Sequence, residues 1–264
     1  MLPGIFEIMK TQFVSLAVAS LALTTPAWSA IIYQDDFSGA AGPLNGTAPD
    51  VRPGGEVWTA HTAFTLTGSS AANVAAENSA RGAYLPFVPQ TGFLYDFSVT
   101  MKFAAELNQT RSLQMGFLEF VPTGNTGRVV ATGDGAAAFF LRNNGTYQAR
   151  YEGGTAPAAT MPEGSISATA VDEPHTLRMT LDTSGTFWVL HAYFDGAEVG
   201  TGFTYTTNPT GILAIGLSSN TSNSGGATGD FTNFILTAEA IPEPSAALLL
   251  SAGIGSLMLR RRKR

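Results

Sequence analysis

Phe93-Leu94-Tyr95-Asp96-Phe97-Ser98-Val99-Thr100-Met101-Lys102-Phe103 alternates large apolar with polar residues almost without a break. Phe93, Tyr95, Phe97, Val99, Met101 and Phe103 share one face, and Asp96, Ser98, Thr100 and Lys102 share the other. Successive side chains of a strand point to opposite sides, so this stretch predicts a long β-strand with one face buried.

The same period recurs downstream. His175, Leu177, Met179 and Leu181 alternate with Thr176, Arg178, Thr180 and Asp182. Asp182-Thr183-Ser184-Gly185 then predicts a turn into a strand over 186–194. Asp195-Gly196 predicts a two-residue hairpin turn into 197–203, because both residues tolerate positive φ. Together these make a three-strand meander. Asn144-Gly145 marks a second hairpin between 137–142 and 146–151. Weaker strands fit 31–37, 57–67, 113–120, 211–218 and 231–238, separated by loops rich in Gly, Ser, Thr, Asn and Pro over 40–55, 152–164 and 219–229. No segment of 30–240 sustains helical periodicity. Many short strands with closely spaced turns predict an all-β protein, a single two-sheet β-sandwich or jelly roll.

The two ends read differently. Lys10 precedes an apolar run over 13–23, followed by Ala27-Trp28-Ser29-Ala30. This is the charge, apolar core and small-residue cleavage site of a signal peptide over 1–29, with Ala27 and Ser29 at −3 and −1 for signal peptidase. Glu7 and the apolar 1–8 are unusual before such a core, and Met9 is an alternative start. At the other end, Pro242-Glu243-Pro244 leads into an apolar run over 245–259 and then Arg260-Arg261-Arg262-Lys263-Arg264. The run is shorter than the roughly 20 residues of a comfortable membrane span. With snorkelling arginines it still predicts a short C-terminal transmembrane helix, its basic end kept cytoplasmic by the positive-inside rule.

This order of parts at the extreme C-terminus resembles the PEP-CTERM sorting signal of Gram-negative bacteria, over residues 241–264. Pro242, Glu243 and Pro244 match the recognition motif, and the cluster from Arg260 to Arg264 the basic anchor. The resemblance implies a substrate of a membrane exosortase, cut and then released or carried to the cell surface, usually in organisms that make exopolysaccharide.

The body between, 30–240, holds 18 Asp and Glu against 8 Lys and Arg, a formal charge of −10 against −6 for the whole chain. Lys102 is its single lysine. Such a surface repels phosphate backbones and anionic headgroups, which argues against nucleic-acid partners and against membrane contact beyond the C-terminal segment. The chain has no cysteine, so neither disulfides nor thiolate chemistry enter. At this length the body can bury a full core without them.

His175-Thr176-Leu177-Arg178-Met179-Thr180-Leu181, a turn, then Phe187 through Asp195-Gly196 is similar to laminin-G-like and concanavalin-like jelly rolls. Asp35-Asp36-Phe37 and Gly229-Asp230-Phe231 are similar to the paired first and last strands of such folds. The resemblance implies a carbohydrate- or protein-binding sandwich, with catalysis in some relatives.

Catalytic constellations are not apparent. Polysaccharide hydrolases place two carboxylates across the scissile bond, whereas Asp35 and Asp36 are adjacent and face opposite ways on a strand. Asp172-Glu173 precedes Pro174 in a turn, and Glu119 ends an apolar strand with no sequence partner. The histidines are scattered and no H-E-x-x-H, G-x-S-x-G or P-loop occurs. No catalytic residue and no cofactor are therefore assigned. A structural Ca²⁺ on Asp36 and Asp230 follows if the terminal strands pair. Trp188 alternates with Leu190, Ala192 and Phe194, as a core residue does. Trp58, beside polar loops, is the better candidate for stacking on a sugar ring. The reading is an exported surface or matrix protein whose non-catalytic sandwich associates with exopolysaccharide. The alternative is a secreted polysaccharide hydrolase or lyase with scattered active-site residues.

Overall fold

The structure, a computed structural model, describes residues 29–73, 81–104, 111–119, 135–151, 163–221 and 229–241. The expected signal segment, the Pro-Glu-Pro motif, the C-terminal helix and the basic anchor lie outside the described residues, apart from Ser29 and Ile241 at their borders. Among the described residues no helix is long and apolar enough to cross a membrane.

The body is all-β, in two antiparallel sheets, and Ser29–Glu239 forms one compact unit. In chain order the first strands are β1 (Ala30–Asp35), β2 (Gly42–Pro43), β3 (Thr59–Ala60), β4 (Phe64–Leu66), β5 (Ala71–Asn73) and β6 (Arg81–Pro86). The middle ones are β7 (Phe93–Phe103), β8 (Arg111–Leu118), β9 (Gly135–Arg142), β10 (Thr146–Tyr151) and β11 (Glu163–Ser165). The last are β12 (His175–Asp182), β13 (Val189–Phe194), β14 (Ala197–Glu198), β15 (Phe203–Thr204), β16 (Ala214–Thr221) and β17 (Gly229–Ala240). One sheet runs β14-β13-β12-β7-β17-β5-β4-β2, with β1 also on β17 and β15 on β13. The other runs β11-β10-β9-β8-β16-β6-β3.

The strands with clean alternation form as the sequence predicts. β7 buries Tyr95, Phe97, Val99, Met101 and Phe103, and pairs with β12 in unbroken register from His175 opposite Met101 to Asp182 opposite Leu94. The meander β12-β13-β14 follows, and its turn has Asp195 at φ 48° and Gly196 at φ 82°, the left-handed pair a tight hairpin needs. The Asn144-Gly145 hairpin joins β9 to β10, with Gly145 at φ 83°. The first and last strands pair antiparallel, Asp35 opposite Phe234.

Several strands differ from expectation for physical reasons. Residues 57–67 make two strands: His61 accepts the Ala63 N–H and the Phe64 N–H, closing a turn that takes β3 to one sheet and β4 to the other. Residues 197–203 break into β14 and β15 at Gly200, whose φ is 75°. β6 was not legible because Arg81 to Leu85 are buried on both faces, which erases the period-two signal. In β17, Asn233 at φ 52° inserts an extra residue, so that Phe231 and Phe234, three apart, both enter the core.

The core lies between the sheets. Phe97 packs edge-on against Phe117 of the facing sheet and Phe234 of its own, at 5.8 and 5.1 Å between ring centroids. Trp188 is buried, as its alternation predicts.

Candidate functional site

The inward residues of the seven-stranded sheet, such as Leu113, Met115, Phe117, Phe139 and Leu141, fill the core. The intervening residues therefore share its outer face. Cross-strand register places Glu163, Gln148, Phe140, Gln114, Ser218 and Gly82 in a single row over β11, β10, β9, β8, β16 and β6. Hydrogen bonds bind this row together. Ser218 Oγ donates to Gln114 Oε1 at 2.8 Å, and Gln114 Nε2 donates to Ser112 Oγ at 2.6 Å. Gln148 Nε2 donates to Glu163 Oε2 at 3.3 Å.

Two cations flank the row on the same face. Arg142 Nη2 and Arg150 Nε both donate to Gln148 Oε1, at 3.3 and 3.4 Å. Both guanidinium carbons lie near the Phe140 ring, 4.7 and 5.5 Å from its centroid. Burial, and then the charge of Arg150, push the Arg142 guanidinium below its usual pKa, against an opposing pull from Glu163. Exposure grades along the row. Gln114 and Ser218 are buried and serve as scaffold, Arg142 and Arg150 are half-buried, and Glu163 is exposed. Solvent thus reaches the β9–β11 end.

The neighbouring part of the face is apolar. Tyr84 clusters with Leu118, Ala138 and Ala214. Its ring lies flat along the sheet, because a Cβ at Gly216 would stand 2.6 Å from Tyr84 Cδ1 and one at Gly82 would collide with the phenol. Glu119, just past β8, has its carboxyl pKa raised by burial. A separate open cleft of about 360 Å³ lies elsewhere on the body, lined by Ile32, Tyr33, Pro86, Phe87, Val88 and Phe93 among others.

The residues singled out from sequence fare unevenly. Trp58 is not a surface platform: it is 1% exposed, packs 4.9 Å from Phe234 and donates its indole N–H to Asp35. The terminal strands pair, but they do not bring Asp36 to Asp230. Asp230 sits opposite Ala72 of β5, accepts from Ser70 Oγ and lies 3.9 Å from Lys102 Nζ. Asp36 instead joins Asp35 and Asp50, whose carboxylate oxygens lie within 4.8 Å of one another, a spacing a cation could bridge. Four internal N–H groups already use these oxygens, from Phe37 and the Trp58 indole to Asp35, Ser38 to Asp36 and Asp36 to Asp50. Asp35 is buried and Asp36 exposed, yet their carboxylates converge instead of facing opposite ways, because Asp36 lies past the end of β1. His191, half-buried, pairs with Glu198 at 2.6 Å.

The Gln, Ser and Arg residues of the row escaped the sequence reading. Their types are common, and they converge only through the register of four strands, β8, β9, β10 and β16.

No family model matches the chain, and no curated protein matches it. Solved structures do. An endo-1,3-beta-glucanase from Streptomyces sioyaensis superposes with a TM-score of 0.54 at 13% identity, over 83% of this chain and 99% of the enzyme. The carbohydrate recognition domain of Emp46p gives 0.49 at 13% identity, over 70% of this chain and 89% of that domain. Alginate lyase Aly36B gives 0.47 at 12% identity, over 81% of this chain and 98% of the lyase. At these identities the likeness is one of fold.

Proposed function

We propose that this chain is an exported surface or matrix protein whose sandwich binds polysaccharide without cleaving it. One observation carries the reading: at the solvent-reached end of the cross-strand row, Arg142 and Arg150 present guanidinium groups held over the buried Gln148 and Phe140, and among the described residues the row's one carboxylate is Glu163. Saccharides are recognised by convergent donors and acceptors beside apolar surface. Glycoside hydrolysis calls for a second carboxylate some 5–9 Å away. The fold shared with a 1,3-beta-glucanase supports a carbohydrate ligand. Export and sorting rest on the signal-like 1–29 and the Pro-Glu-Pro tail, with signal peptidase and exosortase as processing partners.

The fold of that glucanase equally motivates a hydrolase or lyase with dispersed residues, Glu119 among them. One experiment separates the two. The full chain is incubated with β-1,3-glucan and with alginate, while retention by affinity electrophoresis and release of new chain ends are followed. Retention without new ends is the expected result. New ends lost in Glu119→Gln would establish the enzyme reading. Neither retention nor new ends would overturn the carbohydrate reading.

A further inference from the structure

On the reading that this face binds saccharide, we infer that Arg142 and Arg150 form a subsite for the carboxylate of an acidic polysaccharide, a polyuronate. The two guanidiniums converge on one acceptor, Gln148 Oε1, and on one ring, Phe140. Neither has a carboxylate within ion-pair distance among the described residues. Among the described residues, Arg142's other hydrogen bond goes to the Thr146 hydroxyl at 3.4 Å.

Elsewhere on the body a comparable arginine is neutralised. Arg178 grips Asp96 through Nε and Nη2 at 2.7–3.0 Å while lying over Tyr193. The pairing of Arg with an aromatic ring is thus repeated on the two sheets, but among the described residues the second pair has no carboxylate in ion-pair contact, Glu163 acting on Arg142 only from beyond Gln148. Two like charges held together in a chain of net −6 repel each other unless an anion joins them. A guanidinium fork matches a planar carboxylate in two-point geometry. The ring and the buried Gln148 hold both forks in place before a ligand arrives, which lowers the ordering cost of binding. The body's strongly acidic balance repels polyanions in general, so attraction has to be local to this pair.

The test is titration calorimetry of the full chain with three oligomers of equal length: oligogalacturonate, β-1,3-gluco-oligosaccharide and sulfated dextran. Oligogalacturonate is expected to bind at least tenfold more tightly than the neutral oligomer, with affinity falling as salt rises. Arg142→Gln and Arg150→Gln should each reduce that affinity about tenfold or more and reduce neutral-oligomer affinity by much less, so that the preference for the acidic oligomer falls. Lys102→Gln removes the same charge from the other sheet and should change neither. Arg142→Lys, which keeps charge but not the fork, guards against a folding artefact: a native melting temperature with weakened uronate binding supports the subsite. Equal affinity for neutral and acidic oligomers, indifferent to both arginines, would overturn the subsite and leave saccharide binding standing. Tighter arginine-dependent binding of the sulfated oligomer would overturn the uronate assignment. No binding of any oligomer would overturn the saccharide reading, and the subsite with it.

Discussion

Trp58 Nε1 donates to Asp35 Oδ2 at 2.6 Å, a buried bond between the segment entering β3 and the end of β1. Asp35 Oδ1 takes the Phe37 N–H at 2.8 Å, with Phe37 itself at φ 57°. One carboxylate thereby fixes an indole and a left-handed backbone turn. Trp58 then meets Phe234 edge-on and Phe37 at 5.7 Å. The tryptophan read as a surface platform is a structural element of the sandwich.

Asp35→Asn should therefore destabilise the fold. An amide has one acceptor oxygen where the carboxylate has two, so one buried N–H loses its partner, at about 1–3 kcal/mol. The pH dependence has a definite sign. Burial is the leading influence on Asp35 and raises its pKa in the folded state, against the two hydrogen bonds that lower it. A raised carboxyl contributes stability below its unfolded pKa and loses that contribution as pH rises through the folded one. Urea titrations from acid to neutral pH should show the wild-type advantage over Asp35→Asn narrowing as pH rises. A constant gap would contradict the assignment.

Phe234→Ala tests the centre of the core. Phe234 is fully buried among Trp58, Phe97 and Phe37, on a strand paired with the chain's first strand. Truncating a buried phenylalanine costs about 3–5 kcal/mol. Chemical denaturation should show a loss of that size, with an unchanged slope if unfolding is two-state.

Tyr151→Phe should act in the opposite direction. Among the described residues, Tyr151 Oη and Trp188 Nε1 are buried without a hydrogen-bond partner. The Tyr151 ring stacks on Phe203 at 4.5 Å, a contact phenylalanine keeps. Removing an unpaired buried hydroxyl should leave stability equal or raise it by about 1–2 kcal/mol. Burial, then the Glu198 charge, push the Tyr151 phenol up to about 12. Its contribution is complete below the unfolded value near 10 and declines toward 12. The wild type should lose more stability than the variant between neutral pH and pH 11.

Gly145→Ala and Gly196→Ala form a matched pair. Both glycines occupy left-handed backbone, at φ 83° and 82°. A Cβ at Gly196 meets nothing within 4 Å, whereas one at Gly145 runs into the Ile166 carbonyl oxygen. Gly196→Ala should cost about 1–2 kcal/mol, the penalty for a left-handed residue. Gly145→Ala should cost measurably more, because backbone must move as well. Equal melting temperatures for the two would remove the steric argument.

These hairpins were legible because turn chemistry is local. Asp195-Gly196 and Asn144-Gly145 announce themselves within two residues, and β7 and β12 announce one buried face by strict alternation. The fold class follows from such signals. β5 and β6, buried on both sides, carry no alternation to read. The candidate site was illegible for a different reason. Gln114, Phe140, Gln148 and Ser218 lie as much as 104 residues apart in sequence and become neighbours only through pairing register. Trp58 misled because polar loops beside it suggested exposure, while the partner that buries its N–H, Asp35, stands 23 residues earlier.

A signal peptide cut after Ser29 would leave the mature protein starting at Ala30, the first residue of β1. Removal there would leave the β1–β17 pairing, which runs from Ala30 opposite Ala238, without loss of a paired residue. β17 ends at Ala240, one residue short of Pro242-Glu243-Pro244, so an exosortase acting at that motif would also spare the ladder. Intact mass of the protein from producing cells, in membrane and medium fractions, should give a species beginning at Ala30 and ending near 242–244, outside the cell or carrying added mass. A membrane-bound form that keeps Arg260 to Arg264 would mean that the apolar run over 245–259 anchors the protein permanently. Its partners would then have to be sought at that membrane.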